Sequence, residues 1–151
     1  LACAIIQNNQ AKLKKEAKED KAKREKLKSR AQWLRETQSV FNRYIRARDA
    51  GQPCISCGRY HQGQIHAGHY LSTGACPELR FDERNVHAQC APCNNHLSGN
   101  AVLYRIRLIE KIGLASVEEL EGPHAPKKYS IDELKAIKAE YAQKTKQLQV
   151  E

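Results

Sequence analysis

Four cysteines stand in two C-x-x-C pairs, Cys54-Ile55-Ser56-Cys57 and Cys90-Ala91-Pro92-Cys93, on either side of a spacer. Each pair sets two thiolates on one tight turn, and two such turns complete a tetrahedron around a structural zinc ion. Two disulfides are the competing use of the same residues. The spacer and its border carry groups suited to phosphodiester hydrolysis, which needs an aligned water, a base to deprotonate it and a cation on the phosphate. His69 is the candidate base, because imidazole titrates near neutrality. Asn85 is the candidate acceptor that orients its ring. His66 and the Asn94 carbonyl are the candidate ligands of a catalytic divalent cation, Mg2+ or Mn2+. Arg80 and Arg84 could grip a phosphate in bidentate fashion. Each of these has a plain alternative as a turn, cap or solvated residue. His61, His87, His96 and His124 read as ordinary surface or core residues, and Cys3 and Cys76 have no assigned role.

The chain that must position these groups has 151 residues and suits one small domain with appendages. Only two Phe and one Trp are present, so a large aromatic core is unavailable and a metal staple is useful. No apolar run approaches the roughly 18 residues that span a membrane, and no signal peptide is evident. Cysteines in ligand spacing suit a reducing compartment. The chain contains no Met, so a native start further upstream is expected.

The net charge of +9 is unevenly placed, since residues 1–50 hold 14 Lys/Arg against 6 Asp/Glu. That asymmetry points to a polyanion, and nucleic acid is the expected partner. Residues 1–32 form a basic helical arm in this reading, with Lys21, Lys23, Arg24 and Lys28 as candidate DNA contacts. A merely solvated helix is the alternative. The first 50 residues lack Gly and Pro, and a continuous helix of that length would reach about 75 Å. Residues 33–51 form a helix whose apolar side packs on the core, and Gly51 stops it.

Residues 52–100 form the metal-braced core. Its first strand is expected at Ile65–Leu71, its second around Leu79–Phe81, and a short helix opens at Cys93-Asn94. Residues 101–151 are a C-terminal helical region. A helix over 101–112 should bury Val102, Ile106 and Ile109. Capping boxes at Ser116–Glu119 and Ser130–Glu133 should start two more helices. The apolar faces of residues 34–48 and 134–148 are left uncovered in this scheme, so they are the expected interface of a homodimer.

The order His, Asn, cysteine pair, metal-capable residue is similar to the layout of HNH nucleases. More specifically, Ala67-Gly68-His69-Tyr70, then Leu79-Arg80-Phe81-Asp82-Glu83-Arg84-Asn85, then Gln89-Cys90 through Cys93-Asn94, then Ser98-Gly99-Asn100 resemble the NinG (Rap) family of lambdoid phages. The tail Lys135–Tyr141 is similar to it too, and the cysteine and Asn94 arrangement also resembles endonuclease VII. The resemblance implies an α+β, mainly helical fold with a zinc-braced ββα-metal (HNH-like) core flanked by long helices. It implies a metal-dependent endonuclease that cuts branched DNA, such as Holliday junctions and D-loops, in the cytoplasm of a phage-infected bacterium. Cys54, Cys57, Cys90 and Cys93 are then zinc ligands and His69 the base. His66 departs from the family pattern, where an acidic residue is expected. An HNH nuclease for other DNA or RNA, or a junction-binding module without activity, are the alternatives.

Overall fold

The computed structural model describes residues 2–149, with side chains described for residue 10 and from residue 12 onward. The first 50 residues are not one helix. Helix α1 (Ala2–Leu27) and helix α2 (Arg30–Arg48) are separated at Lys28-Ser29. Ser29 leaves the helical region, its hydroxyl accepts from the Gln32 N–H, and the Gln32 side chain accepts from the Ser29 N–H. This capping box satisfies donors that a new helix leaves open, so the chain starts afresh where composition alone suggested continuity.

Helix α2 is the main organiser. It buries Trp33, Thr37, Phe41, Tyr44 and Ile45 on one stripe, as a core-facing amphipathic helix should. That stripe packs on helix α5 (Ile131–Gln147) and on a two-stranded hairpin. Phe41 meets Tyr141 edge to face at 4.7 Å and Phe81 at 5.5 Å. Thr37 donates its hydroxyl to the Leu134 carbonyl at 3.0 Å, which fixes the axial register of the two helices. The apolar faces of α2 and α5 therefore bury each other within one chain. They are not left free for a homodimer, because residues some 97 positions apart satisfy one another.

The hairpin pairs β1 (Ile65–His69) antiparallel with β2 (Val86–Cys90), from Ile65↔Cys90 to His69↔Val86. Residues 79–81 are not the second strand. Pro77–Leu79 is a single tight turn, and a second turn, Glu83–Asn85, is capped by the Asp82 carboxylate accepting from the Arg84 N–H at 2.9 Å. Pro77 has no N–H to give a ladder, and Asp82 turns the chain instead. After Cys90 the chain makes one wide turn, Pro92–His96, rather than a full finger helix.

Helix α3 (Ala101–Ile112) lies where expected but shows a different face. Tyr104 and Leu108 are buried, whereas Val102 and Ile106 are exposed. Helix α4 (Leu114–Glu121) begins directly after Gly113, so Ser116 lies inside it and forms no capping box. The Ser130–Glu133 box does form, and it starts α5. Val117 and Leu120 of α4 close a second core with Tyr104, Leu108, Leu79 and Ile55. The C-terminal region thus splits, with α3 and α4 supporting the back of the hairpin and α5 covering α2. Among the described residues no helix is long and apolar enough to cross a membrane.

Candidate active site

Cys54, Cys57, Cys90 and Cys93 converge, with their sulfurs all within 4.8 Å of one another. None is in a disulfide, so the disulfide alternative is set aside. A tetrahedral zinc site with Zn–S bonds of about 2.3 Å needs sulfurs about 3.8 Å apart, and Cys57 Sγ stands 4.0 Å from Cys90 Sγ. The surroundings also fit thiolates. The Cys90 N–H donates to Cys54 Sγ at 3.3 Å, and the Asn100 amide donates to Cys93 Sγ at 3.6 Å. His61 Nε2 lies 3.3 Å from Cys57 Sγ. Burial pushes the Cys90 thiol up to about 12, against the help of the Cys93 N–H. Four crowded sulfurs can all ionise only around a cation, and the cluster is consistent with structural zinc. The Cys3 side chain lies outside the described residues, and Cys76 packs at the edge of the α3–α4 core.

The cluster anchors the hairpin, and the hairpin presents the histidines. The Gln89 side chain, wholly buried, donates to Ser56 Oγ and to the Gly99 carbonyl, both at 2.6 Å. The Ile55 N–H donates to the Ala88 carbonyl at 3.0 Å. Both contacts tie β2 to the first cysteine turn.

His69 ends β1, and its Nε2–H donates to the Arg80 carbonyl at 3.0 Å. A carbonyl can only accept, so this bond fixes the tautomer and leaves Nδ1 as the basic nitrogen. Burial lowers the His69 pKa below its usual value, outweighing the Arg80 hydrogen bond. Asn85 does not orient this ring. It is fully buried, accepts from the Leu71 N–H at 2.8 Å and donates to the Leu71 and Leu79 carbonyls. Its own backbone carbonyl accepts from the Tyr70 N–H at 2.8 Å. Asn85 thereby holds the backbone just beyond His69, and the Arg80 carbonyl is the ring's acceptor.

His66 and Asn94, 28 residues apart, do come together, with the Asn94 amide donating to His66 Nδ1 at 2.9 Å. The same NH2 group donates to Asn95 Oδ1 at 3.0 Å, so the Asn94 carbonyl oxygen remains for another partner. With Nδ1 accepting, Nε2 carries the proton of the neutral ring, and that N–H is buried without a hydrogen-bond partner, so a cation could take His66 Nδ1 only in place of the Asn94 amide. Both residues line a hollow of about 480 Å³ with Asn42, Arg46, Gln64, Ile65 and Ala67. Among the described residues no carboxylate lines it. Asp82 and Glu83 cannot complete this pair, because each is engaged elsewhere. Asp82 pairs with Arg84, and Glu83 accepts from Tyr44 at 2.9 Å and from Lys144 at 2.8 Å. Two neutral donors beside an arginine suit magnesium poorly. An imidazole and a carbonyl suit a later first-row dication better, provided the cation replaces the Asn94 amide at Nδ1.

The proposed phosphate grips differ from one another. Arg80 is held by neutral partners, Gln38 Oε1 at 3.2 Å and the Thr73 carbonyl at 3.4 Å, so its charge is uncompensated. Arg84 is not available in the same way, because it forms ion pairs with Asp82 and Glu119, both at 2.9 Å. On the arm, Lys21, Lys23 and Arg24 are exposed on α1. Lys28 instead pairs with Glu36 at 2.8 Å and stands over the Trp33 ring. Asn42 and Arg46 of α2 escaped the sequence reading. Only helical spacing could have flagged them, since they stand beside the buried Phe41 and Ile45.

A basic helical arm, a core helix and a hairpin joined to four clustered cysteines define a small, mainly helical α+β protein whose cysteines could hold a metal ion. The chain belongs to the NinG family, since residues 3–151 match the family described as bacteriophage Lambda NinG protein. It is similar to protein ninG of Salmonella phage P22, at 53% identity over 122 residues. That alignment covers 81% of this chain and 60% of the relative. Protein ninG of Escherichia phage lambda is 52% identical over the same shares, and that of Escherichia phage 933W is 50% identical over 81% of this chain and 61% of the relative. The chain thus spans about three fifths of the length of these relatives. No solved structure matches it.

Proposed function

We propose that the protein is a metal-dependent endonuclease of branched DNA, acting in the cytoplasm of the phage-infected bacterium. The observation that carries this reading is the convergence of His66 and Asn94 on a carboxylate-free cleft beside Arg46; His69, a base of fixed tautomer three residues further along the strand, is not among the residues that line the cleft. His69 Nδ1 takes the proton of the attacking water, and the Arg80 carbonyl keeps the ring from turning. Asn85 acts as a positioning residue by clamping the segment that follows His69. His66 Nδ1, on exchanging the Asn94 amide for a metal, and the Asn94 carbonyl would hold a divalent cation, which supplies charge stabilisation on the phosphate when bound. The cysteine cluster takes no part in the reaction and keeps β2 in register.

A four-way junction and a matched duplex, each incubated with the zinc-loaded protein and added Mg2+, Mn2+ or Co2+, test the reading. Metal-dependent cutting that favours the junction supports it. The lack of a carboxylate in the cleft favours one second reading, a module that binds branched DNA without cutting it. Junction binding with no cleavage in any metal would establish that alternative. Paired cuts on one junction call for two active sites and hence a homodimer. With α2 and α5 buried on each other, its interface must lie elsewhere, and the exposed Val102, Leu103 and Ile106 of α3 offer one surface. Light scattering on the parent and on Ile106→Glu tests that assignment.

A further inference from the structure

The outward face of α2 carries Arg35, Ser39, Asn42 and Arg46, spaced as successive turns of one stripe, with Arg35, Ser39 and Arg46 exposed. Two hollows flank this stripe. One of about 370 Å³ is lined by Arg35, Gln38 and Arg80 among others, and the second, of about 480 Å³, by His66 and Asn94. Asn42 and Arg46 line both, so the hollows meet there and form one groove along the helix. Among the described residues no Asp or Glu lines either hollow. Arg35 and Arg46 form no ion pair among the described residues, and Arg80 is held only by neutral oxygens.

We propose that one strand of a nucleic acid lies along this groove, its phosphates held by Arg35, Arg80 and Arg46. The groove delivers one phosphate to the His66–Asn94 end, and this last step rests on the nuclease reading above. Length favours a polymer over a lone phosphate. Arg35 and Arg46 are 11 residues apart, about 16 Å along the helix axis. That distance is several times the size of a single phosphate group, so the stripe can meet successive phosphates of one strand. Chemistry favours it as well. Guanidinium groups pair with phosphate oxygens in bidentate fashion, while Gln38 and Asn42 offer neutral donors between them. Arg80 also links the groove to the base, because its side chain faces the first hollow while its carbonyl holds the His69 ring.

The test is anisotropy of a fluorescent four-way junction, titrated with the full zinc-loaded chain over a range of salt and without added divalent metal. Arg35→Ala/Arg46→Ala should weaken binding at least tenfold near physiological salt. Its log–log salt slope should be shallower by about 1.8, since each phosphate that is no longer neutralised removes about 0.9. Arg43→Ala is the control, because Arg43 is exposed on the same helix but faces α5. It should leave affinity within about twofold. Equal losses in both variants would reduce the effect to net charge and overturn the proposal, as would unchanged binding in the double variant. Cleavage by the parent separates the two readings. If the parent cuts and the double variant binds and cuts normally, the groove is wrong and the nuclease stands. If the parent never cuts but the double variant loses binding, the groove stands and the nuclease does not.

Discussion

Replacing Gly68 with alanine probes the close approach that locks the hairpin to the cysteine turns. An added Cβ would overlap the Gln89 carboxamide oxygen and stand 2.9 Å from Gln89 Cβ and Cδ. The carboxamide cannot swing aside freely, because its NH2 holds both Ser56 and Gly99 at 2.6 Å. Nor can Gln89 Cβ retreat, since it is fixed by the β2 backbone paired to β1. Overpacking of this kind costs about 1–3 kcal/mol. Two strained or broken hydrogen bonds add about 0.5–1.5 kcal/mol each. Replacing a strand glycine returns about 0.5–1 kcal/mol. The net expectation is a loss of about 1–5 kcal/mol. Urea denaturation of the zinc-loaded protein, followed by circular dichroism with zinc content measured in parallel, reads it. Gln89→Gly removes the carboxamide and the Cβ together, so in that background Gly68→Ala should cost less than about 1 kcal/mol, a coupling that a double-mutant cycle isolates. A single variant as stable as the parent, or the same penalty in both backgrounds, refutes the packing argument.

Zinc should be bound at one ion per chain, and its chelation or Cys90→Ser should unfold residues 52–100, seen as reduced protection from hydrogen exchange; a metal-free chain that stays protected would overturn this. Deleting residues 1–27 should flatten the salt dependence of DNA binding while leaving the cleavage rate at saturating enzyme unchanged, and an unaltered slope would make α1 a solvated helix. His69→Ala should lower cleavage by about 10²–10⁴ with junction affinity kept. Because burial holds the folded His69 pKa below its usual value of about 6.5, the imidazole stays neutral and basic at pH 6.5; the acid limb of cleavage should therefore lie below that pH, and a limb above it would sink the assignment. Manganese, cobalt or nickel should support faster cutting than magnesium, and His66→Asp should restore magnesium use by adding a negative oxygen ligand; equal rates in all metals for both proteins would remove His66 from the site.

The parts of the fold legible in the sequence were those written in local chemistry. The two C-x-x-C pairs met, the Ser130 capping box opened α5, and the apolar stripe from Trp33 found a core. The second strand was missed because Val86–Cys90 is buried at every position, so it shows no alternation for period-two reasoning to find. Leu79–Phe81 does alternate, but Pro77 and Asp82 turn the backbone there. The α2 and α5 stripes were readable singly and not as partners, since nothing local tells two apolar faces far apart in sequence that they cover each other. At the candidate site, residue type and spacing pointed to Asn85 as the acceptor for the His69 ring, and that assignment fails. Its amide serves backbone groups around Leu71, and an unmarked carbonyl of Arg80 serves the histidine. Backbone acceptors carry no sequence signature.

Helix α2 also explains why a cysteine cluster with no role in chemistry should matter to the groove. Its last residues reach across to β2. Arg48 donates to the Val86 carbonyl at 2.8 Å, and the Asp49 carboxylate accepts from the Ala88 N–H at 2.8 Å. Asp49 is buried, and although burial alone would raise its pKa, hydrogen bonds from Arg48 and Ala88 hold it below the usual carboxylate value. The helix end is therefore pinned by a charge that has few other places to go. The same Ala88 passes its carbonyl to Ile55 in the first cysteine turn, and Cys90 follows two residues later. Arg46 sits within one turn of Asp49, so the groove, β2 and the cysteine turns share one chain of bonded backbone. Loss of the metal frees β2 at Cys90, loosens the Asp49 anchor and lets the Arg46 end of α2 shift against His66 and Asn94. DNA affinity should then fall on chelation even though no cysteine touches DNA.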